Sequence, residues 1–513
     1  MTESKLYKRK IYTLSDFRSR LVKTGLLSGE DLTDPDTAVR GLSFDSRAVG
    51  DGTLFIAKGA AFRQEYLADA YSSGAFAYVS EKRIGDFPNM LLVSDIREAM
   101  TVLAEMFWCD PLSSLRSLAV TGTKGKTTTV SFLKRILDLD AEKRGVPAAG
   151  ISSSTEVYDG EEEPEPVNTT PEAPMLWSYF AKAAASGIDS FVVEVSSQAL
   201  KYRRVGRMNF TVGCITNIGK DHIGPGEHTD FEDYFSSKLK LFDQCSTACV
   251  NIDDPLSDSM LDYARGRVPV ITFGADESAE VRLSDVEKTG TGFRFRITVP
   301  KKSLLMSISM HGVFNVANAL SAAAVSYAAG IPLETVAEAL EGASVSGRMI
   351  PFASKDGRVS VIVDYAHNEM SFSALIDSIE AERPGAGIVA ILGFTGGKGV
   401  NRRKDNGTLL GKRADFTIVT EKDSAGEPFE KIANEAAYWI DRAGGRYAVI
   451  KDREAALRFA FGIDLQKREK VIVFAGRGLE DMQKYGDRLY YYPQDTSIAE
   501  KVMAEYDSLH PAN

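Results

Sequence analysis

The sequence predicts an α/β protein of three domains. The chain has 513 residues, and at about 150 residues per domain three is the expected number. Short apolar runs alternate with helical patterns along most of the chain, as in parallel sheets covered by helices. A glycine-rich turn joins one apolar run to a helical pattern near residue 122, which is typical of a phosphate-binding loop.

The first predicted domain is a small α/β unit covering residues 1–113. Its predicted strands are the apolar runs at 53–57, 76–80 and 90–94. Residues 110–114 contain a proline and two serines and predict a linker.

The second predicted domain, residues 114–345, is a central parallel sheet that carries the glycine-rich turn. Its strands are predicted at 117–120, 190–194, 212–216 and 248–252. Residues 276–310 indicate a β-rich excursion, and an alanine-rich helix is expected at 315–329. Residues 344–349 form the next candidate boundary.

The third predicted domain, residues 346–513, repeats the alternation and is expected to be Rossmann-like. Its predicted strands are 359–363, 387–392, 416–420 and 470–475. Several of these strands end directly in Gly, Asp or Glu, and open α/β sheets bind ligands at the carboxyl ends of their strands.

Composition narrows the class of protein. With 44% hydrophobic and 26% charged residues the chain is ordinary globular material, and its net charge of −10 argues against a nucleic-acid binder. The four cysteines complete no zinc pattern, so buried free thiols are expected. The sequence has neither a signal-like start nor an apolar run of about 18 residues. We therefore expect a cytoplasmic protein whose partners are small molecules rather than membranes.

The turn at 122–127 has the composition of a phosphate-binding loop. Backbone N–H groups and a helix N-terminus face the phosphates, Lys126 supplies positive charge, and the Thr127 hydroxyl can reach Mg²⁺. The standard motif has a glycine five residues before Gly125, but Val120 stands there. The alternative is a Gly/Thr turn with a surface lysine, which the flanking strand and helix disfavour.

Glu194 ends an apolar strand, where a carboxylate can hold Mg²⁺ together with phosphate oxygens. The alternative is a glutamate that caps a helix. His222 follows another strand end beside Asp221. Three interpretations of this pair are open: ligands for a second metal, a stacking partner for a nucleotide, or a purely structural pair.

Lys238 lies on an apolar helical stripe with Phe231, Tyr234, Phe235 and Phe242. Burial depresses the pKa of a lysine, and a neutral amine reacts with CO₂ to give a carbamate, an extra carboxylate beside metal. A lysine that extends its charge to solvent is the alternative.

Taken together, these motifs resemble the Mur ligases. The resemblance runs through nearly the whole chain, in the segments 44–47, 52–55, 122–127, 168–171, 194–200, 204–205, 217–222, 314–318, 347–349, 364–367 and 476–480 and around Lys238. Lys124, Gln198 and residues 57–62 look like the lysine-adding branch of that family.

The resemblance implies roles for individual residues. ATP would be bound by Gly122, Thr123, Lys124, Gly125, Lys126, Thr127, Thr128, Asn315, Arg348 and Asp364. UDP-MurNAc-L-Ala-D-Glu would be bound by Ser46 in the N-terminal domain and by Thr169, Thr170, Ser196 and Arg204. Two Mg²⁺ ions would be held by Thr127, Glu194, His222 and a carbamylated Lys238. The residues implied in catalysis are Lys126, Glu194, His222, Lys238 and Arg348.

The reaction implied is ATP-dependent ligation in peptidoglycan precursor synthesis. ATP would phosphorylate the D-glutamyl γ-carboxylate, and the amine of a diamino acid would attack the acyl phosphate. Two anions meet in the first step, so cations are required. Domain closure and a monomeric enzyme are expected.

Fewer sequence features indicate which diamino acid would be the incoming amine. Diaminopimelate enzymes carry Asp-Asn-Pro-Arg in the third domain, whereas residues 420–428 of this chain contain no arginine. Asp423 or Glu427 would instead attract a lysine side chain, although Glu480 resembles the diaminopimelate type. L-Lysine is favoured over meso-diaminopimelate. Rival hypotheses are a different Mur or folylpolyglutamate-type ligase, a nucleotide-dependent switch that has lost ligation, and a small-molecule kinase.

Overall fold

A computed structural model of the chain describes residues 10–59, 62–224, 226–345, 348–486 and 488–511. Three main sheets follow one another along the sequence, and a two-stranded hairpin lies near the end. The α/β architecture predicted from the sequence is confirmed. The boundaries at 113 and 345 remain predictions.

The N-terminal sheet has five strands in the order β1-β5-β4-β3-β2, and only β1 runs antiparallel to its neighbour. Its strands are β1 Leu27–Asp31, β2 Gly41–Ser43, β3 Thr53–Ile56, β4 Ala75–Ser80 and β5 Met90–Val93, and its helices are α1 Leu14–Lys23, α2 Gln64–Ser72 and α3 Ile96–Trp108. The predicted linker is a buried 3-10 turn at Pro111–Ser114 rather than an open connection.

The central sheet has ten strands in the order β15-β14-β13-β12-β11-β10-β6-β9-β7-β8. The strands are β6 Arg116–Thr121, β7 Gly150–Ser152, β8 Val157–Tyr158, β9 Ser190–Glu194, β10 Val212–Ile215, β11 Ala248–Asn251, β12 Val270–Gly274, β13 Val281–Lys288, β14 Phe293–Val299 and β15 Lys302–Ile308. The helices are α4 Lys126–Arg144, α5 Ala173–Ala185, α6 Ser197–Lys201, α7 Phe231–Leu239, α8 Ser257–Ala264, α9 Phe314–Ala328 and α10 Leu333–Leu340.

The β-rich segment at 276–310 is not a separate excursion. β13 pairs in parallel with β12, and β14 and β15 then extend the same sheet antiparallel. One apolar core packs α4, α9 and α10 against one face of this sheet, and a second core packs α5 and α8 against the other. The middle of the sheet is therefore buried on both faces, which explains why its strands are continuous apolar runs.

The C-terminal sheet has six strands in the order β16-β17-β21-β18-β19-β20, all parallel except β16. Its strands are β16 Ile350–Ala353, β17 Val359–Asp364, β18 Gly387–Phe394, β19 Phe416–Glu421, β20 Tyr447–Val449 and β21 Lys470–Ala475, and the hairpin is β22 Met482–Tyr485 with β23 Arg488–Tyr491. The helices are α11 Glu369–Glu382, α12 Asn401–Arg413, α13 Phe429–Arg442, α14 Arg453–Gly462 and α15 Asp495–Leu509.

Some sequence-based expectations concern residues outside the described ranges, namely 60–61 in the segment 57–62 and Gly347 in the segment 347–349. The thiols of Cys214, Cys245 and Cys249 are buried and free, as expected, while Cys109 is half-buried. Among the described residues, no helix combines the length and the apolar character needed to cross a membrane.

Candidate active site

The glycine-rich turn connects β6 to α4 at the carboxyl end of the central sheet. Gly122 and Gly125 have φ angles of +151° and +80°. A Cβ at Gly122 would lie 1.9 Å from Thr216 Oγ1, and one at Gly125 would lie 2.0 Å from Asn318 Oδ1. Both positions therefore require glycine for space as well as for conformation.

The two lysines of the turn are buried and have different partners. Lys126 Nζ donates to the carbonyl oxygens of Gly122 and Thr123 at 2.9 and 3.2 Å, and burial lowers its pKa while Glu194 opposes that shift. Burial lowers the pKa of Lys124 to about 7, with Asp221 acting in the opposite direction. Thr128 is buried in the first turn of α4.

An oxygen cluster forms where the first turn of α4 meets the end of β9. Thr127 Oγ1 lies 3.2 and 3.1 Å from the two carboxylate oxygens of Glu194. Ser154, which follows β7, donates its hydroxyl to Glu194 at 3.0 Å and lies 3.1 Å from Thr127 Oγ1. A carboxylate and two hydroxyls are the hard oxygen donors that Mg²⁺ prefers, so this donor set fits the ion. Nothing in its sequence segment singled out Ser154.

Lys238 projects from α7 into the same region. It is 1% exposed, and its Nζ donates to the Gly122 carbonyl at 2.8 Å and to Thr121 Oγ1 at 3.3 Å. Burial holds the pKa of Lys238 well below its usual range, and the neighbouring Lys126 lowers it further. A neutral amine beside cations suits carbamylation, since the cations would stabilise the new negative charge.

His222 stands in the left-handed region at φ +54°. Its Nδ1 lies 2.8 Å from Glu227 Oε1, and its Nε2 lies 3.8 Å from Asp221 Oδ2. Across the described ranges, no three His, Cys, Asp or Glu side chains gather as a ready metal cage. A second metal site at His222 stays a prediction.

Asp221 joins the central sheet to the C-terminal one. Its carboxylate accepts hydrogen bonds from Asn368 Nδ2 at 2.6 Å and from Arg402 Nε at 2.8 Å, and Lys124 Nζ lies 3.7 Å away. Lys124 Nζ also lies 3.3 Å from His367 Nε2. Arg402 was not singled out from the sequence, and Asn368, at the end of the segment after β17, was given no role, because no local pattern indicates a partner more than a hundred residues away.

Three further residues are assigned to ATP binding: Asn315 at the start of α9, Arg348 before β16 and Asp364 at the end of β17. The Arg348 guanidinium lies over the Tyr365 ring at 5.1 Å. Asp364, at the end of β17, accepts hydrogen bonds from the backbone N–H groups of Met349 and Ala366 at 2.9 and 2.7 Å. Asn315 donates to the His311 carbonyl at 2.8 Å from the first turn of α9.

The residues assigned to the UDP-sugar substrate divide between two sheets. Ser46 lies in a short 3-10 turn after β2. Thr170 Oγ1 donates to the Glu194 carbonyl and accepts from the Ser196 backbone N–H, both at 2.9 Å, and Arg204 donates to the Thr170 carbonyl at 3.1 Å. Thr169 is half-buried beside them.

Glu172, another residue that the sequence argument missed, connects this group to the N-terminal sheet. Its carboxylate lies 3.2 Å from Arg204 Nε and 2.8 Å from Lys58 Nζ.

The three carboxylates assigned to the incoming amine have different environments. Glu427 is paired with Arg403 and Lys431, each at 3.0 Å, and the hydrogen bond from Arg403 lowers the pKa of Glu427 to about 2. Asp423 accepts from the Lys484 backbone N–H at 3.0 Å. Glu480 accepts the Tyr365 hydroxyl. Glu427 therefore already has two cationic partners, and Glu480 faces the end of β17.

Comparisons with known proteins identify the family to which the chain is similar. The chain matches the Mur ligase middle domain over residues 120–326 and the Mur ligase glutamate ligase domain over residues 347–478. It is 35% identical over 483 residues to the UDP-N-acetylmuramoyl-L-alanyl-D-glutamate–L-lysine ligase of Enterococcus faecalis, covering 92% of this chain and 94% of that one. It is 32% identical to the corresponding 2,6-diaminopimelate ligase of Caldanaerobacter subterraneus subsp. tengcongensis, covering 92% and 96%.

Solved structures share the fold. MurF from Acinetobacter baumannii superposes with a TM-score of 0.66 at 19% identity, over 97% of this chain and 99% of that one. A MurF ligase from Thermotoga maritima in complex with ADP gives a TM-score of 0.57 at 17% identity, over 91% and 96%. The fold, the phosphate loop and these matches together define the class of protein. It is an ATP-dependent ligase that forms amide bonds. The chain belongs to the Mur ligase family.

Proposed function

We propose that this enzyme adds an amino acid, with L-lysine favoured, to the D-glutamyl γ-carboxylate of UDP-MurNAc-L-Ala-D-Glu, at the expense of ATP and through an acyl phosphate. The observation that carries the proposal is the convergence of Lys126, Thr127, Glu194 and Lys238 at one end of the central sheet, facing Arg348 and His367 of the C-terminal unit. The proposal places the reaction in the cytoplasm and the enzyme as a monomer.

The phosphate loop has the hydrogen-bond donors and the positive charges that binding of the ATP phosphates requires. The N-terminus of α4 directs its partial positive charge at the turn. Lys126 stands over the turn at 2.9 Å from the Gly122 carbonyl and would exchange that contact for a phosphate oxygen. Arg348, whose guanidinium has a planar fork of donors, would approach the phosphates from the C-terminal side.

Thr127, Ser154 and Glu194 would hold Mg²⁺, because they form an all-oxygen donor set. When bound, the ion would withdraw electron density from the phosphate and reduce repulsion between ATP and the substrate carboxylate. A carbamylated Lys238, with His222, would contribute to a second site. Both assignments rest on the donor types and the burial described above.

The two other substrates would enter from opposite sides. Ser46, Thr169, Thr170, Ser196 and Arg204 would bind the UDP-MurNAc-dipeptide between the N-terminal and central sheets. Arg204 lies 3.2 Å from Glu172 and would turn part of its guanidinium to an anionic group of the substrate. Asp423, Glu427 and Glu480 would bind the amino acid at the C-terminal sheet, Glu427 least directly, because Arg403 and Lys431 already pair with it.

L-Lysine is favoured for two reasons. Residues 420–428 contain no arginine to pair a second carboxylate, and several similar relatives, among them those of Enterococcus faecalis and Streptococcus sanguinis, are named L-lysine ligases. The diaminopimelate ligase of Caldanaerobacter is nearly as similar, so meso-diaminopimelate is the second candidate.

An ADP-release assay tests the proposal. We expect turnover that requires UDP-MurNAc-L-Ala-D-Glu and a diamino acid together. Turnover that leaves a stable phosphorylated product without an amine would favour a kinase, and no turnover with any diamine would favour a protein that has lost ligation.

A further inference from the structure

Glu227 lies in the loop that precedes α7, between the central and the C-terminal units. Its side chain is 6% exposed. One carboxylate oxygen, Oε1, lies 2.8 Å from Nδ1 of His222, and the other, Oε2, accepts a hydrogen bond of 2.9 Å from the backbone N–H of Gly399. Gly399 stands between β18 and α12, so a single buried carboxylate connects His222 to the C-terminal unit.

The backbone on both sides of this link is held in place. The N–H of Glu227 donates to the Gly224 carbonyl at 3.0 Å, and Lys201 Nζ donates to the Glu227 carbonyl at 2.9 Å. On the other side, a Cβ at Gly399 would lie 2.7 Å from Arg402 Nε, so glycine lets the loop pack against the Arg402 side chain. The contact between Glu227 and Gly399 is therefore formed by two segments that other contacts fix.

The partners of His222 determine which of its ring nitrogens carries the proton. A carboxylate accepts hydrogen bonds and cannot donate them, whereas a guanidinium donates and cannot accept. Glu227 lies at Nδ1 of the ring, and Arg402 Nη2 lies 3.5 Å from Nε2. In the neutral imidazole, both contacts require the proton on Nδ1 and the lone pair on Nε2. Nε2 is then the nitrogen that is able to accept a proton or bind a metal ion.

We propose that Glu227 is a positioning residue, which fixes the tautomer of His222 with one carboxylate oxygen and joins it to the C-terminal unit with the other. The role of His222 in the reaction rests on the proposed function, whereas the tautomer and the link to Gly399 do not. Because the Gly399 N–H holds the carboxylate in place, His222 is fully oriented when the two units are in contact. Separation of the units removes one of the two bonds that hold Glu227.

Nitrogen NMR of the imidazole rings tests the tautomer in the full chain, without substrates or metal and under conditions in which the imidazoles are neutral. The chain has five histidines, so selective ¹⁵N labelling gives few signals, and those absent from His222→Gln belong to His222. We expect the wild type to carry the proton on Nδ1.

The isosteric variant Glu227→Gln should reverse this tautomer. Its amide oxygen is able to accept from the Gly399 N–H, and its NH₂ group, which only donates, then faces Nδ1 of His222. The proton should therefore move to Nε2. A wild-type protein with the proton on Nε2, or the same tautomer in the wild type and in Glu227→Gln, would overturn the proposal.

Amide hydrogen exchange tests the link to the C-terminal unit. Glu227→Ala removes the acceptor of the Gly399 N–H, so exchange in the peptide that contains Gly399 should become about fivefold faster. Glu227→Gln keeps an acceptor and should exchange like the wild type. The matched control is Glu232→Ala, because Glu232 is exposed in the first turn of α7. Unchanged exchange in Glu227→Ala, or an equal increase in Glu232→Ala, would contradict the link.

A kinetic measurement relates Glu227 to the proposed function. In Glu227→Gln, kcat should fall about tenfold, as is usual when the partner that orients a metal-binding histidine is changed, while KM for ATP stays nearly unchanged because the phosphate loop is intact. Ligation by Glu227→Gln at the wild-type kcat would contradict the positioning role. A wild type that ligated no amino acid would refute the proposed function instead, and the NMR and exchange results would still decide the role of Glu227.

Discussion

Asp221 of the central unit accepts a hydrogen bond of 2.8 Å from Nε of Arg402, a residue 181 positions further along the chain. The carboxylate is 1% exposed, and it lies 3.7 Å from Lys124 Nζ in the phosphate loop. Burial opposes the charge of Asp221, but Lys124 and Arg402 hold its pKa well below the usual range. One buried charge therefore links the phosphate loop to the first turn of α12.

Removal of this link should impair both folding and turnover. Arg402→Met leaves the Asp221 carboxylate buried with a partner missing, a change that costs about 3 kcal/mol in buried pairs. The kcat/KM for ATP should fall, because Asp221, the neighbour of Lys124, is then held by fewer hydrogen bonds. The control is Arg413→Met, also on α12, whose partners Asp377 and Glu380 lie within the C-terminal unit. Chemical denaturation and ADP release measure the two effects. Equal kinetics in the two variants would contradict a coupling role for Asp221.

Lys238 should be indispensable for ligation. Lys238→Ala removes the amine that would form the carbamate, so we expect activity to be nearly abolished and added bicarbonate not to restore it. Lys240→Ala, two residues away and exposed, is the control and should behave like wild type. Full ligase activity of Lys238→Ala in the ADP-release assay would exclude the carbamate.

Gly125 should tolerate no side chain. Gly125 has a φ of +80°, and Gly266 has nearly the same φ of +81°. A Cβ added at Gly125 would lie 2.0 Å from Asn318 Oδ1, whereas a Cβ added at Gly266 would have no atom within 4 Å. Both alanine variants should lose about 1 kcal/mol of stability through the left-handed backbone. Gly125→Ala alone should also lose ATP affinity, measured by calorimetry. Unaltered ATP binding in Gly125→Ala would show that the turn does not hold the nucleotide.

The oxygen cluster predicts a dependence on magnesium. Glu194→Gln keeps the size of the side chain but removes the charge that would bind the ion, so the Mg²⁺ concentration for half-maximal activity should rise at least about tenfold, a loss of roughly 1.4 kcal/mol in ion binding. Asp140→Asn is the control, because Asp140 is a buried carboxylate of α4 that pairs with Arg116 and Arg144 instead. A magnesium titration in which the two variants coincide would count against the site.

Local patterns predicted most of the strands. Buried parallel strands leave an apolar signature, so the runs at 190–194 and 470–475 correspond to β9 and β21. The same logic misjudged 276–310, where β13 is exposed along its second half and β14 alternates between buried and more exposed residues. Whether such strands join the central sheet depends on which strands they pair with, and a local sequence pattern does not determine that pairing.

The site could be predicted only where one segment contains the whole signal. The turn at 122–127 and the stripe around Lys238 are local signals. The turn precedes a helix as expected, and Lys238 lies on α7 with most of its stripe, but Phe242 lies beyond α7 in a 3-10 turn at Lys240–Gln244. Ser154, Glu172 and Arg402 were missed, because their positions in the site arise from contacts between distant segments. Glu427 shows the opposite case. Its segment predicts a carboxylate for the incoming amine, but in the structure this carboxylate is paired with Arg403, 24 residues away.

The most direct test of the central claim is mass spectrometry of the products formed from ATP, Mg²⁺ and UDP-MurNAc-L-Ala-D-Glu with L-lysine, meso-diaminopimelate and L-ornithine in competition. We predict ADP, phosphate and a UDP-MurNAc-tripeptide that carries one added diamino acid, L-lysine in preference to the others. A mixture without any tripeptide, or with a stable phosphorylated dipeptide as the end product, would contradict the assignment as an amino-acid ligase.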